Sequence, residues 1–223
     1  PRIDEQTKKQ LEHYPDFLQQ ILFNIGIRSA EEADVYLFKD RIPGDPFQLI
    51  DLEKAVVRLL KAIEDHEKIV VYGDYDVDGV TATVMMVEAL RSLGGEVQSY
   101  IPNRFDEGYG LNTEAIELLA QQGTRIILTV DCGIRSPYEA ERALTLGVDL
   151  IISDHHHPKG DLPRGYAVIC PKREGDPYPD KDLAGVGVAF KILQGLFLHK
   201  GMNVEKADEW LDLVALGTVA DIV

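Results

Sequence analysis

The chain has 223 residues, 45% of them hydrophobic and 27% charged. This ordinary globular usage argues against disorder, collagen-like repeats and coiled coil, and suits one large domain or a domain with an appended subdomain. Its net charge is −15, from 23 Lys plus Arg against 38 Asp plus Glu, which speaks against a nucleic-acid-binding surface spread over the whole protein. No apolar run approaches the roughly 18 residues of a membrane span, and the opening PRIDEQTKKQ is too polar for a secretory signal, so a soluble protein is expected. Cys132 and Cys170 show no CxxC or Cys/His ligand spacing. That sets aside a disulfide framework and a zinc finger and fits a reducing cytoplasm. A start at Pro1 and an end at Asp-Ile-Val suggest a fragment of something longer.

In chain order, Gln6 to Phe38 read as short helices: PDFLQQILFN has helical apolar spacing, and Ser29 followed by Glu32 has the form of a capping box. RIPGDPF then breaks the pattern. From Asp51, a plausible cap, apolar residues at 52, 55, 56, 59, 60 and 63 predict an amphipathic helix lying against a sheet. After Lys68 the texture changes to short, uniformly apolar runs, as expected of buried parallel strands: KIVVY, EVQSYI, RIILTV, VDLIIS and YAVIC. Helices are predicted near VTATVMMVEALRSL, TEAIELLAQQ, SPYEAERALTL, GVAFKILQGLFL and VEKADEWLDLVAL. The alternation implies an α/β fold with a doubly wound, mainly parallel sheet (residues 51–223) behind an N-terminal helical extension (1–50).

In such a sheet, ligands bind at the carboxyl ends of the strands. Acids stand there. KIVVYG runs into Asp74, Asp76 and Asp78, RIILTV into Asp131, and VDLIIS into Asp154, His155, His156 and His157; Asp221 follows an apolar helix in GTVAD. DYDVDG taken alone is compatible with a solvated turn, and DHHHP with an exposed polar loop. An EF-hand fails, because the Glu due at position 12 is Met85 and the loop follows a strand. Convergence of several carboxylates on one crevice makes a cation the simplest remedy for their repulsion. Carboxylate oxygen with imidazole and no thiolate suits Mn²⁺ best, then Mg²⁺, with Zn²⁺ or Co²⁺ possible.

YGDYDVDG, VDCG, SDHHHP and GTVADIV, in this order, resemble motifs I to IV of the DHH phosphoesterases. GDYDVDGVTA, IPNRFDEGYGLN and AGVGVAFK, with the N-terminal ILFNIGIRSAEEADVYLF and DPFQLIDLEKAV, are similar to the bacterial RecJ branch, the single-strand-specific 5′-to-3′ DNA exonucleases. Asp74 stands where the similar manganese pyrophosphatases carry His, giving DxDxD in motif I. The family usually continues into a DHHA1 domain and often an OB-fold. The resemblance therefore covers the N-terminal catalytic part only, without those domains.

The resemblance implies two Mn²⁺ ions bridged by Asp131, with Asp76 serving one and Asp78, His155 and Asp221 the other; Asp74 joins as a further ligand. Hydrolysis would release 5′-mononucleotides from single-stranded DNA in repair and recombination, without a covalent intermediate. His156 would contact the scissile phosphate, and Asp154 would orient a histidine; the role of His157 is open. Arg104 would pair with a phosphate, or else with Asp106 or Glu107. The amide of Gly79, and those of Gly185 and Gly187, could face a phosphate at a helix N-terminus, or the latter two glycines could serve close helix packing. Tyr100, Phe105 and Tyr109 could stack bases or pack. Acid exceeds base on both sides of Lys68, so most DNA grip is expected from the C-terminal portion, protein partners being undefined. The alternatives are another DHH phosphohydrolase, acting on pyrophosphate, oligoribonucleotides or a cyclic dinucleotide, or a non-catalytic replication scaffold, which should lack several of these acids.

Overall fold

A computed structural model describes residues 2–38, 44–103 and 110–223. The chain divides into two compact units at the step from residue 43 to 44. In the first, α1 (Glu5–Gln10), α2 (Asp16–Asn24) and α3 (Ala30–Phe38) enclose a small core of Leu11, Leu22 and Ala33. The predicted capping box is formed: Ser29 Oγ accepts from the Glu32 amide at 3.2 Å, and the Glu32 carboxylate accepts from the Ser29 amide at 3.1 Å.

The second unit holds the sheet. Its elements are α4 (Leu52–Glu64), β1 (Lys68–Tyr72), α5 (Val77–Ser92), β2 (Glu96–Tyr100), α6 (Thr113–Gln121), β3 (Ile126–Thr129), α7 (Pro137–Thr145), β4 (Asp149–Ser153), β5 (Ala167–Ile169), α8 (Gly185–His199) and α9 (Leu211–Asp221). All pairings are parallel, in the order β2-β1-β3-β4-β5. The apolar runs of β1, β3, β4 and β5 arise because both faces are covered there, and strand side chains alternate between the faces; β2, at the sheet edge, buries only Val97 fully and exposes Glu96, Gln98 and Ser99. Ile69, Val71, Ile126, Leu128 and Ile151 point into the core shared with α4, α5 and α8. Val70, Tyr72, Ile127, Leu150 and Ile152 point into the core beneath α6 and α7.

The strand order decides where a ligand fits. From β1 the chain crosses to β2 on one side, then returns to place β3 on the other. The carboxyl ends of β1 and β3 therefore flank the point where the winding reverses, the place open parallel sheets offer for binding.

Three local expectations are corrected. Asp51 makes no side-chain cap on α4; it takes a left-handed φ of 66°, and its carboxylate accepts from the Val168 amide and Arg173 at 3.1 Å each, tying α4 to β5. The helix predicted from Val204 is instead a 3₁₀ turn over Val204–Trp210, with the α-helix running from Leu211 to Asp221. The change of helix type falls at Trp210, whose indole donates to Glu88 at 3.0 Å and packs edge-on against Phe197. Asp221 is thus the last residue of a helix rather than a residue beyond it.

Leu128 is fully buried in the central sheet, whereas Val84 on α5 is 40% exposed. Leu128→Ala should lower the unfolding free energy by about 2–5 kcal/mol in urea denaturation. Val84→Ala should change it by no more than about 0.5 kcal/mol.

Candidate metal centre

Close backbone approach builds the site. After β1, Gly73 leaves no room for a side chain: a Cβ there would lie 1.9 Å from Thr83 Oγ1. Asp74 follows, buried, and Asp76 caps α5 by accepting from the Gly79 amide at 2.9 Å. Asp78, in the first turn of α5, is buried against the start of α8. Its Oδ2 accepts from the Gly185 amide at 2.6 Å and its Oδ1 from the Val186 amide at 2.7 Å. The unpaired amides and positive dipole end of α8 therefore hold this carboxylate in place.

Asp131 follows β3 in a left-handed conformation, φ 62°, uncommon for a residue with a side chain. Gly185 also serves here, since a Cβ on it would meet Asp131 Oδ1 at 2.6 Å. Asp131 Oδ1 is buried without a hydrogen-bond partner, as are both ring nitrogens of His155. His155 Nε2 lies 3.2 Å from Asp131 Oδ1, 3.5 Å from Asp221 Oδ2 and 3.9 Å from Asp78 Oδ2. The shortest of these approaches lacks hydrogen-bond alignment; the atoms crowd round a common point rather than pairing with each other.

Next to it, His156 Nδ1 lies 2.7 Å from Asp154 Oδ1. That oxygen also accepts from the His155 and His156 amides, and Asp154 Oδ2 accepts from the Ile134 amide. Asp154 thereby fixes both the ring of His156 and the backbone of the histidine pair.

The electrostatics are those of an overcrowded acid cluster. Burial, followed by the charges of Asp78, Asp154 and Asp76, pushes the Asp131 carboxyl up to about 10. Burial also raises Asp74 and Asp78, although amide hydrogen bonds oppose the rise in both. Asp154 goes the other way: burial works against its charge, but the hydrogen bond and charge of His156 and the nearby amides hold its pKa below the usual value. The same hydrogen bond raises His156. Without a cation, Asp131 keeps its proton at neutral pH.

Among the described residues, three sets of donor atoms lie mutually within 4.8 Å: Asp74, Asp76 and Asp131; Asp78, His155 and Asp221; and Asp131, His155 and His156. The donors are oxygen and imidazole. Cys132, the neighbour of Asp131, keeps its thiol protonated through burial, and its Sγ faces the Tyr72 carbonyl at 3.7 Å. Unpartnered buried donors, an acid that must stay protonated and a set without thiolate all fit hard divalent cations such as Mn²⁺ or Mg²⁺.

The structure thus brings Asp74, Asp76, Asp78, Asp131, Asp154, His155, His156 and Asp221 to one place. His157 is exposed, and its carbonyl accepts from Arg135 Nε at 2.9 Å. The amides of Gly79 and Gly185 do not face a phosphate: they are taken by Asp76 and Asp78, because the helix starts abut the acids directly. Gly187 is buried beside Leu183, at a contact where a Cβ would lie 3.3 Å away, so close packing accounts for it. Tyr100 packs on Tyr72 with ring centroids 5.0 Å apart. Arg104, Phe105 and Tyr109 lie outside the described residues. Sequence reasoning missed Gly73 and Gly217; a Cβ on Gly217 would meet Thr81 Oγ1 at 2.6 Å and Asp78 Oδ1 at 2.9 Å, so this glycine lets α9 bring Asp221 in. It missed Arg135 as well. The glycines stand inside the quoted motifs, and that was the available signal.

Comparison with known proteins follows the same lines. The description "DHH family, N-terminal domain" matches residues 68–218. The chain is 43% identical over 226 residues to the single-stranded-DNA-specific exonuclease RecJ of Bacillus subtilis, covering 100% of this chain and 28% of that protein. It is 41% identical over 219 residues to RecJ of Escherichia coli, covering 94% and 37%. Among solved structures, RecJ from Thermus thermophilus in complex with Mn²⁺ superposes with a TM-score of 0.77 at 31% identity, over 98% of this chain and 30% of that one. An exonuclease RecJ bound to manganese gives 0.72 at 37% identity, over 78% and 44%. The chain therefore spans less than half the length of these relatives, and the family description matches more than half of the chain: the chain belongs to the DHH family.

Proposed function

We propose that this chain is the metal-binding catalytic part of a phosphodiesterase that degrades single-stranded DNA from a 5′ end and releases 5′-mononucleotides, in DNA repair and recombination. The observation that carries the reading is the convergence of Asp131 Oδ1 and His155 Nε2, both buried and without a hydrogen-bond partner among the described residues, with four further acids, Asp74, Asp76, Asp78 and Asp221. The relatives' names supply the substrate class, and their bound manganese supports Mn²⁺ as the metal.

Asp74 and Asp76 would hold one ion and Asp78, His155 and Asp221 another, with Asp131 serving both sets. Divalent cations bound there would supply Lewis acidity for a phosphodiester, a lowered pKa for a bound water and charge stabilisation for the oxygens of an in-line displacement. The protein's own contribution is rigidity. Asp78 is held by two amides of α8, Asp131 by its constrained turn, and His155 by packing at 4% exposure. His156, whose pKa the Asp154 hydrogen bond raises, is only partly buried and is suited to donate to a phosphate oxygen. Asp154 acts as its orienting partner.

Among the described residues no helix is long and apolar enough to cross a membrane. Cys132 and Cys170 are buried free thiols, in keeping with a cytoplasmic setting. With a net charge of −15, the chain by itself has little long-range attraction for DNA, so its grip on substrate is local to the metals and a few cations.

Incubation with 5′-end-labelled single strands and Mn²⁺ should release labelled mononucleotide. Asp131→Ala should reduce that release by at least about a hundredfold while leaving the far-ultraviolet circular dichroism unchanged. Release of oligonucleotides from internal cuts, or activity on pyrophosphate alone, would count against this reading.

The acid cluster also sets a pH dependence. Asp131 titrates near 10 folded against about 3.8 unfolded, so the folded state binds the extra proton and loses stability as pH rises across that interval. The raised His156 acts in the same sense above the ordinary imidazole value of about 6.5. The lowered Asp154 acts oppositely, but only near and below 3.8. In EDTA the melting temperature should therefore fall from pH 6 to pH 9. Added Mn²⁺ should raise it more at pH 8 than at pH 6, since cation and proton compete for the same carboxylate. A metal-free melting temperature that climbs over this range would contradict the assignment.

A further inference from the structure

Thr129 has no part in the donor set, yet its hydroxyl stands at the junction of the two turns that carry the central ligands. It is the last residue of β3 and is fully buried. Its Oγ1 donates to the Cys132 carbonyl at 2.7 Å and accepts from the Ser153 amide at 3.1 Å. The first bond closes a four-residue turn around Asp131. The second joins that turn to the end of β4, one residue before Asp154. A second strap runs beside it, from the Ile134 amide to Asp154 Oδ2 at 2.8 Å.

The turn needs closing. Asp131 sits at φ 62° and Gly133 at φ 109°, two positive values within three residues. A non-glycine residue in that region persists where its surroundings over-determine it. Space is tight as well: a Cβ on Gly133 would lie 3.2 Å from Thr129 Oγ1 and 3.3 Å from Ile152 and Leu111. The carboxylate thus presented is the one with a buried, unpartnered oxygen.

We propose that Thr129 is a positioning residue of the metal centre: its hydroxyl locks Asp131 in the left-handed turn and fixes that turn against the Asp154–His155–His156 loop, so that the Asp131 and His155 donors reach the same cation. The inference rests on the metal reading of the site. It assigns the hydroxyl, rather than the volume of the side chain, the task of setting ligand geometry. Partners behind first ligands of this kind change metal affinity by about 10- to 100-fold when removed.

The test is titration of the metal-free chain with Mn²⁺ alone, read by electron paramagnetic resonance of the free ion, at a temperature where circular dichroism shows every variant folded. Wild type must bind; if it does not, the metal reading fails and the role of Thr129 fails with it. Given binding by wild type, Thr129→Val, which keeps the shape but removes the hydroxyl, should weaken Mn²⁺ binding at least about tenfold. Thr129→Ser, which restores the hydroxyl, should bind within about twofold of wild type. Thr129→Val folded with wild-type affinity, its melting temperature alone lowered, would leave Thr129 a purely structural residue and overturn the proposal. Thr129→Ser folded but tenfold weaker would overturn it equally, because the methyl group would then matter and not the hydroxyl. The serine arm can overturn the proposal even if the valine variant does not fold.

Discussion

Like charges brought together inside a protein repel one another and lose their hydration, and the structure of this chain is organised around that unfavourable fact. Asp74, Asp78, Asp131 and Asp154 are each about 1% exposed, and all belong to the loops and helix starts at one end of one sheet. Such a cluster is tolerated only if each acid has a partner, a proton or a cation. Three are provided for internally: Asp74 by the Tyr75 amide, Asp78 by the amides of α8, and Asp154 by three amides and His156. Asp131 is not, and its carboxyl is pushed up to about 10. The protein donors are arranged to receive a positive charge.

The fold makes that arrangement possible by bringing four distant segments to one point. Reversal of the winding between β1 and β3 sets Asp74, Asp76 and Asp78 beside Asp131, and the parallel pairing of β3 with β4 sets Asp131 beside the histidines. The last segment arrives through helix packing. Gly217 lets α9 close on α5 and Gly185 lets α8 close on Asp131, each at a distance that a Cβ would obstruct. Small residues at these contacts bear on the site as much as the acids do, because a shift of less than an ångström would move Asp78 or Asp221 out of range.

Much of this was legible in the sequence, for identifiable reasons. Strands β1, β3, β4 and β5, buried on both faces, carry unmistakable apolar runs readable to within a residue or two at either end, and the acids after β1, β3 and β4 marked the ligand-binding end of the sheet. The four motifs in order pointed to the family and to the set of acids that meet. Other features depended on tertiary contact and left no local trace. Asp51 looks like a helix cap but is drawn to Arg173 and the edge of β5. The amides of Gly79 and Gly185 look free for phosphate, yet the acids lie close enough to take them. Gly217, which resembles a helix terminator, sits inside α9 because the neighbouring helix demands a missing side chain. Thr129 reads as an ordinary strand residue, and only the three-dimensional turn reveals its hydroxyl bridging two loops.

On the proposed reading, residues from position 74 to position 221 form one receptacle for a pair of divalent cations that share Asp131. Anomalous diffraction at the manganese edge, from crystals of this chain grown with Mn²⁺, tests it most directly. Two anomalous peaks are predicted, both in contact with Asp131, one also touching Asp76 and the other His155. Peaks confined to surface carboxylates, with the Asp131 and His155 donors touching no ion, would contradict it.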